Sequence, residues 1–214
     1  MRPVLCMVTD RRRYGALRDG SEEDALIRCV AAAAAAGVDL VQVRERDLEA
    51  GPLAKLVARC IQAVAGTRTR VIVNDRLDVA HAAGAHGLHL PGHGVPALRA
   101  RAAAPRGFLI GRSVHHASEA ERVAHEGGLD YLVFGTVFET ASKKVAPAGI
   151  KGLAAAVQAV SLPVLAIGGI TLERASEIAR TGAAGVAAIG MFADACTQGI
   201  DSMDALVAEW ARRW

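Results

Sequence analysis

The side chains of this chain that could do chemistry fall in short clusters, each placed just after a brief apolar run. Arg112, Ser113 and His115 follow Phe108–Gly111, and Thr140, Ser142 and Lys143 follow Tyr131–Phe134. An unperturbed imidazole titrates near ~6.5, so His115 suits proton transfer at neutral pH; the plainer reading is a rim histidine satisfied by one hydrogen bond. The hydroxyls and ammonium of Thr140, Ser142 and Lys143 suit a lid over an anion, or else a solvated basic loop. In Gln42-Val43-Arg44-Glu45-Arg46, strand alternation points Gln42, Arg44 and Arg46 one way and Val43 the other. Two converging guanidiniums would hold a carboxylate or phosphate bidentately, unless they are spent on rim salt bridges with Glu45 and Asp47.

Asn74-Asp75-Arg76 closes a third strand, and there Asp75 is open to three roles: magnesium ligand, partner of Arg76, or helix N-cap. Gly168-Gly169, after Val164–Ile167, lets backbone N–H groups approach a phosphate, helped by the dipole of the following helix. Gly190 would supply the other half; an ordinary tight turn is the alternative. His86-x-x-His89-x-x-x-His93 has the spacing of a metal cluster, but an extended strand puts His86 and His89 on opposite faces, so no zinc site is expected. His125 reads as solvated. Arg11-Arg12-Arg13 is the one dense basic run, either a solvated loop or an anion-attracting rim.

These clusters need a frame that gathers them. Strands are expected at Val4–Val8, Leu40–Val43, Val71–Asn74, Gly87–Leu90, Phe108–Gly111, Tyr131–Phe134, Val164–Ile167 and Gly185–Ile189. Helices are expected at Glu22–Ala36, Ala50–Ala65, Arg76–Ala83, Pro96–Ala103, Ser118–Glu126, Ile150–Val160, Leu172–Arg180 and Met203–Trp214. Strands alternating with helices of roughly 10 to 15 residues mean βαβ units and a parallel sheet. Glycines at Gly37, Gly84, Gly127 and Gly182 recur before strands and end the helices in left-handed turns. With no GxGxxG after the first strand, the pattern fits a single-domain (β/α)8 TIM barrel over residues 1–214 better than an open doubly wound sheet. Such barrels collect reactive groups at the carboxyl ends of their strands and often bind phosphate in the loops after the last two.

A length of 214 residues suits one such barrel of roughly 200 to 250. Apolar residues make up 52% and aromatics only 4%, so the core is expected to be aliphatic. The net charge of +3, with scattered Lys and Arg, leaves no footprint for nucleic acid. No apolar run reaches the roughly 18 residues that span a membrane, and Met1-Arg2-Pro3-Val4 leads into a strand rather than a signal peptide. Cys6, Cys29, Cys60 and Cys196 show no CxxC and are expected as buried free thiols in a reducing cytosol. The expectation is a cytoplasmic enzyme of small molecules, with homo-oligomerisation left open.

In order along the chain, QVRER, VNDRLDVAHAAGAHGLHL, IGRSVH, DYLVFGTVFETASKK and LAIGGIT closely resemble the thiamine phosphate synthase and thiazole tautomerase superfamily. The resemblance implies a (β/α)8 barrel of thiamine biosynthesis. Synthases join a hydroxymethylpyrimidine diphosphate to a thiazole phosphate with magnesium and release pyrophosphate. Their pattern is similar to Gln42, Arg44, Asn74-Asp75, Thr140-x-Ser142-Lys143 and Gly168-Gly169 here. They usually carry a second magnesium-binding aspartate in an HLGQxD segment, where this chain reads His89-Leu90-Pro91-Gly92-His93-Gly94. Losing one of two carboxylates should weaken a magnesium–diphosphate site. Arg46 also stands where synthases generally place a lysine. RER, the HLP-type turn, GRSVH and FGTVFETASKK read closer to the tautomerase (TenI-like) branch, so the expected activity is that of a thiazole tautomerase.

By that resemblance His115 moves the proton that aromatises a thiazole carboxylate phosphate, and no metal or other cofactor is needed. Gln42, Arg44, Arg46, Asn74, Ser113, Thr140, Ser142 and Lys143 would bind this phosphorylated thiazole, with Gly168, Gly169 and Gly190 on its phosphate. The alternatives are the synthase, with Asp75 binding Mg2+, and a barrel that binds a thiamine precursor without turnover.

Overall fold

Runs of valine, leucine and isoleucine too short to make a helix take extended form and pair side by side. The computed structural model describes residues 2–14, 20–140, 146–198 and 200–214. Its strands are β1 (Val4–Val8), β2 (Leu40–Val43), β3 (Arg70–Asn74), β4 (Gly87–Leu90), β5 (Leu109–Val114), β6 (Tyr131–Phe134), β7 (Val164–Ile167) and β8 (Gly185–Ala188). They pair in parallel in chain order, and β8 closes on β1 from Val4↔Gly185 to Met7↔Ala188. Closure needs Gly185, because a Cβ there would lie 1.9 Å from the Val4 carbonyl oxygen. The helices are α1 (Glu22–Ala36), α2 (Ala50–Ala63), α3 (Leu77–Ala83), α4 (Ala97–Ala103), α5 (Ala117–Glu126), α6 (Gly149–Ala159), α7 (Ala175–Ala179), α8 (Gly190–Gln198) and α9 (Ile200–Arg213). The expected (β/α)8 barrel is present.

Alternation along each strand sorts the side chains into two layers. Cys6, Val8, Leu40, Ile72, Val133 and Leu165 fill the barrel, while Leu5, Met7, Val41, Val43, Leu88 and Ile110 pack toward the helices. Each large aliphatic side chain so buried contributes roughly 1.5–3 kcal/mol. Local signals set the boundaries. Ser21 and Asp24 cap α1 reciprocally through two bonds of 3.2 Å, and Gly37 ends it at φ 92°. Among the described residues no helix is long and apolar enough to cross a membrane.

Four expectations need correction. β5 runs past Gly111 to Val114, because Leu90 and Phe134 on its neighbours offer ladder partners to Arg112 and Val114. Alternation in this longer strand keeps Ser113 on the inner face and turns Arg112 outward, where it is 5% exposed and donates to the Val95 carbonyl. The helix expected at Leu172–Arg180 is a 3-10 turn, Leu172–Arg174, followed by the 5-residue α7. α8 has no counterpart in the sequence reading; burial of Phe192, Ala193 and Ala195 holds it, in a glycine-led run that reads as a loop. Finally, Cys29 on α1 and Cys196 on α8 form a disulfide with Cα atoms 5.7 Å apart, leaving Cys6 and Cys60 as buried free thiols. The bonded pair is separated by 167 residues, and barrel closure alone sets α8 beside α1.

Candidate active site

The carboxyl ends of the strands open into a cavity of about 540 Å³. Gln42, Arg44, Arg46, Asn74, Ser113, His115, Thr140, Gly168, Gly169 and Gly190 all line it. Ser142 and Lys143, the rest of the expected lid, lie outside the described residues.

On β2, Gln42 and Arg44 face inward as alternation requires, and Val43 is buried on the helix side. The salt-bridge alternative for Arg44 and Arg46 fails, because their acidic neighbours are taken elsewhere. Glu45, 5% exposed, accepts from Thr9 Oγ1 at 2.5 Å and from Arg11 Nη1 at 3.1 Å. Asp47 pairs with Arg11 and with Arg12, the latter at 3.0 Å. Among the described residues neither Arg44 nor Arg46 has a carboxylate partner. Burial, and then the charge of Arg46, push the Arg44 guanidinium below its ordinary pKa. Asp10 and Glu45 act on Arg44 only at longer range, and two cations so placed at the mouth of a cavity are suited to attract an anion.

The basic run Arg11-Arg12-Arg13 is split by the fold. Arg11 and Arg12 are tied to Glu45 and Asp47, whereas Arg13 pairs with Asp10 at 3.5 Å and lines the cavity, its Nη1 3.8 Å from where a Cβ on Gly190 would stand. Arg13 is a binding candidate that the sequence reading left within an undivided run. The available signal was the apolar Tyr14 beside it, which is fully buried and anchors the turn.

Gly168 and Gly169 take φ values of 101° and 61°. A Cβ on Gly168 would lie 2.6 Å from Thr136 Cγ2, and one on Gly169 2.5 Å from the Glu139 carbonyl oxygen, so the loop after β6 sits directly on this turn. The dipole expected from the helix after β7 is missing, since α7 is a short helix behind a 3-10 turn. α8 supplies it instead: it opens at Gly190, and the N–H groups of its first turn have no intrahelical partners. A phosphate at this glycine arc would meet backbone donors on both sides.

His115 bonds the Gly135 carbonyl oxygen through Nδ1, and its backbone N–H donates to Glu119 Oε2 at 2.8 Å. In the neutral ring Nδ1 therefore carries the proton and Nε2 remains an acceptor. Both readings of this residue hold together, a rim hydrogen bond and a place in the cavity wall.

Asp75 sits at φ 65°, its N–H donating to the His89 carbonyl at 2.9 Å. Arg76 is the N-cap of α3, with no side-chain cap bond, and it pairs with Asp78 at 2.6 Å. The N-cap role thus falls to Arg76 and the close ion pair to Asp78, so the exposed carboxylate of Asp75 stands at the strand end beside Asn74 with only a longer-range attraction to Arg76. Among the described residues no group of three His, Cys, Asp or Glu could hold a metal unaided. Magnesium commonly takes one or two carboxylates plus substrate phosphates, so Asp75 and the Asn74 amide fit an ion that arrives with a diphosphate. Gly94 adds no ligand.

The histidine run separates as alternation requires. His86 Nδ1 accepts from the Val71 N–H at 3.0 Å, while His89, 3% exposed, turns into the barrel.

Comparison with known proteins accords with this arrangement. Residues 5–192 match the family described as thiamine monophosphate synthase (TMP-TENI). A putative thiamine-phosphate synthase of Geobacter sulfurreducens is 40% identical over 187 residues, which cover 86% of this chain and 84% of that one. A thiamine-phosphate synthase of Methanoculleus marisnigri is 44% identical over 160 residues, covering 73% and 75% respectively. Among solved structures, the thiamine phosphate pyrophosphorylase from Pyrococcus furiosus superposes with a TM-score of 0.79 at 30% identity, covering 96% of both chains. A 3-hexulose-6-phosphate synthase at 16% identity and TM-score 0.67 shares the fold alone.

Proposed function

The chain belongs to the thiamine monophosphate synthase family, and on that premise we propose that it joins a hydroxymethylpyrimidine diphosphate to a thiazole phosphate with release of pyrophosphate. The order of expectations drawn from local sequence wording is thus reversed. That wording favoured the tautomerase, yet the similar proteins are described as synthases, at 40% and 44% identity. The observation that carries the reading is the unpaired Arg44 and Arg46 in the same cavity as a separate glycine-lined phosphate arc. Two anionic substrates need two anion subsites, and the arginine pair and the glycine arc are suited to one each.

In this mechanism Arg44 and Arg46 bind the diphosphate and stabilise the charge that grows on it as its C–O bond breaks. Gly168, Gly169, Gly190 and Arg13 hold the thiazole monophosphate, which aims the thiazole nitrogen at the pyrimidine methylene carbon. A C–N bond forms there, and pyrophosphate leaves with the electrons of the broken bond. Gln42, Asn74 and Ser113 offer hydrogen bonds to the pyrimidine. Magnesium held by Asp75 and Asn74 would neutralise part of the diphosphate charge.

His115, with Nε2 left as an acceptor, and Gly94, with no carboxylate, favour a second reading as the tautomerase. One experiment separates them. Purified protein given both thiamine halves and magnesium should form thiamine phosphate and pyrophosphate in equal amounts, and a chelator should stop it. If no thiamine phosphate forms at high enzyme concentration, while a thiazole carboxylate phosphate aromatises unaffected by chelator, the second reading replaces the first. Thermal stabilisation by these compounds with neither product would leave a binding barrel.

A further inference from the structure

β4, β5 and β6 bring three residues into one row inside the barrel. The register pairs His89 with Gly111 and Gly111 with Tyr131, so a glycine stands between an imidazole and a phenol. A Cβ on Gly111 would lie 2.1 Å from the ring carbon that bears the Tyr131 hydroxyl. Without that Cβ, Tyr131 reaches across β5 to His89 Nδ1 at 3.3 Å. On the far side of the ring, His89 Nε2 meets Ser113 Oγ at 2.8 Å, and Ser113 lines the cavity. His89 and Tyr131 are only 3% and 6% exposed.

The direction of this chain follows from counting protons. In its neutral form the buried His89 ring carries one N–H and faces a hydroxyl at each nitrogen. If Nδ1 held it, Nδ1 would donate to Tyr131, and the phenol proton would find no acceptor among the described residues. A buried donor left unsatisfied is costly, whereas an acceptor with a spare lone pair is more readily tolerated. The phenol therefore donates to Nδ1, Nε2–H donates to Ser113 Oγ, and Ser113 keeps its own proton for the cavity.

We propose that Tyr131 and His89 are positioning residues that fix Ser113 as a one-way hydrogen-bond donor to an acceptor atom of the substrate, such as an unprotonated heteroaromatic nitrogen. A ligand presenting N–H at that point would be rejected, because two donors would face each other. The turnover part of the test rests on the coupling reaction proposed above; the tautomer part needs no substrate.

Nitrogen-15 NMR of the whole protein should show His89, identified by its loss in His89→Gln, with Nε2 protonated and Nδ1 unprotonated. An Nδ1-protonated ring would overturn the proposal. Tyr131→Phe, which removes one oxygen, should move part of the His89 population to the other tautomer; an unchanged tautomer would refute the anchoring role. In steady-state coupling assays, Ser113→Ala should raise KM for the pyrimidine substrate about 5- to 10-fold. Tyr131→Phe should raise it less, and should add nothing in the Ser113→Ala background. Additive effects of the two changes would show that Tyr131 acts through general packing instead. A complete lack of coupling would sink the synthase reading, while the tautomer spectrum would still decide this one.

Discussion

Replacing Arg44 by Gln should weaken the grip on the diphosphate substrate and, at the same time, stabilise the ligand-free protein. The first effect follows from the loss of a charge-assisted hydrogen bond to phosphate, worth about 1.5–3 kcal/mol. At about 1.4 kcal/mol per decade, KM for the pyrimidine diphosphate should rise roughly 10- to 150-fold. The second effect has the opposite sign because Arg44 is half-buried, lacks a carboxylate partner and is repelled by Arg46. Relieving a like-charge contact between partly exposed groups is worth about 0.5–1 kcal/mol. In a chain of this size that raises Tm by about 1–4 °C. The assay pairs steady-state kinetics with thermal unfolding in the absence of ligand. Added pyrophosphate and magnesium should also raise the Tm of the native protein more than that of the variant. A variant that loses thermal stability along with affinity would show Arg44 to be a structural residue and refute the reasoning.

Other consequences can be measured separately. Gly168→Ala, at φ 101° and with its Cβ 2.6 Å from Thr136 Cγ2, should cost about 1–3 kcal/mol and raise KM for the thiazole phosphate more than for the pyrimidine diphosphate. Equal effects on both substrates would count against the glycine arc as the monophosphate site. Thiol titration of denatured, unreduced protein should find Cys6 and Cys60 reactive but not Cys29 and Cys196, and all four cysteines should react after reduction. Cys29→Ser should cost about 2–4 kcal/mol, or about 4–16 °C in Tm; full reactivity before reduction would deny the link. His89 has its pKa pushed down to about 3 by burial and then by Arg112 and Arg44. Below about 6.5 the unfolded chain binds a proton there that the native state refuses, so stability falls with acidification at a slope approaching ~1.4 kcal/mol per pH unit. Asp24, Asp47 and Asp78, held low by Arg59, Arg11 and Arg76, add losses in the same direction at lower pH. Denaturant titrations of His89→Gln should therefore decline less steeply than the native protein between about pH 6 and 4; parallel curves would contradict a neutral buried His89.

Much of the barrel was legible because it rests on period and punctuation. Alternation placed Gln42, Arg44 and Arg46 on one face and parted His86 from His89, and the structure keeps both arrangements. Position after β7 marked Gly168 and Gly169, which take the positive φ that only the turn requires. What escaped depends on neighbours distant in sequence. The Cys29–Cys196 bond spans 167 residues and needs closure of the barrel. α8 is held by buried Phe192 and Ala193, not by periodicity. The extension of β5 comes from its partners β4 and β6, and it is that extension which sets Ser113 beside His89. That Arg76 rather than Asp75 is the N-cap of α3 and pairs with Asp78 is not readable from Asn74-Asp75-Arg76 alone. Within Arg11-Arg12-Arg13, Glu45 and Asp47 draw Arg11 and Arg12 away, while Arg13, paired with its near neighbour Asp10, stays at the cavity. Family wording chose the superfamily that the family match shows, but put the tautomerase ahead of the synthase, whereas the similar proteins are described as synthases.

The claim that one cavity holds two separate anion subsites is tested most directly by a crystal structure of the protein with magnesium, pyrophosphate and a thiazole phosphate. Pyrophosphate should lie against Arg44 and Arg46 with the metal at Asp75, and the monophosphate on Gly168, Gly169 and Gly190. A single anion on the glycine arc, with nothing bound at Arg44 and Arg46, would contradict it.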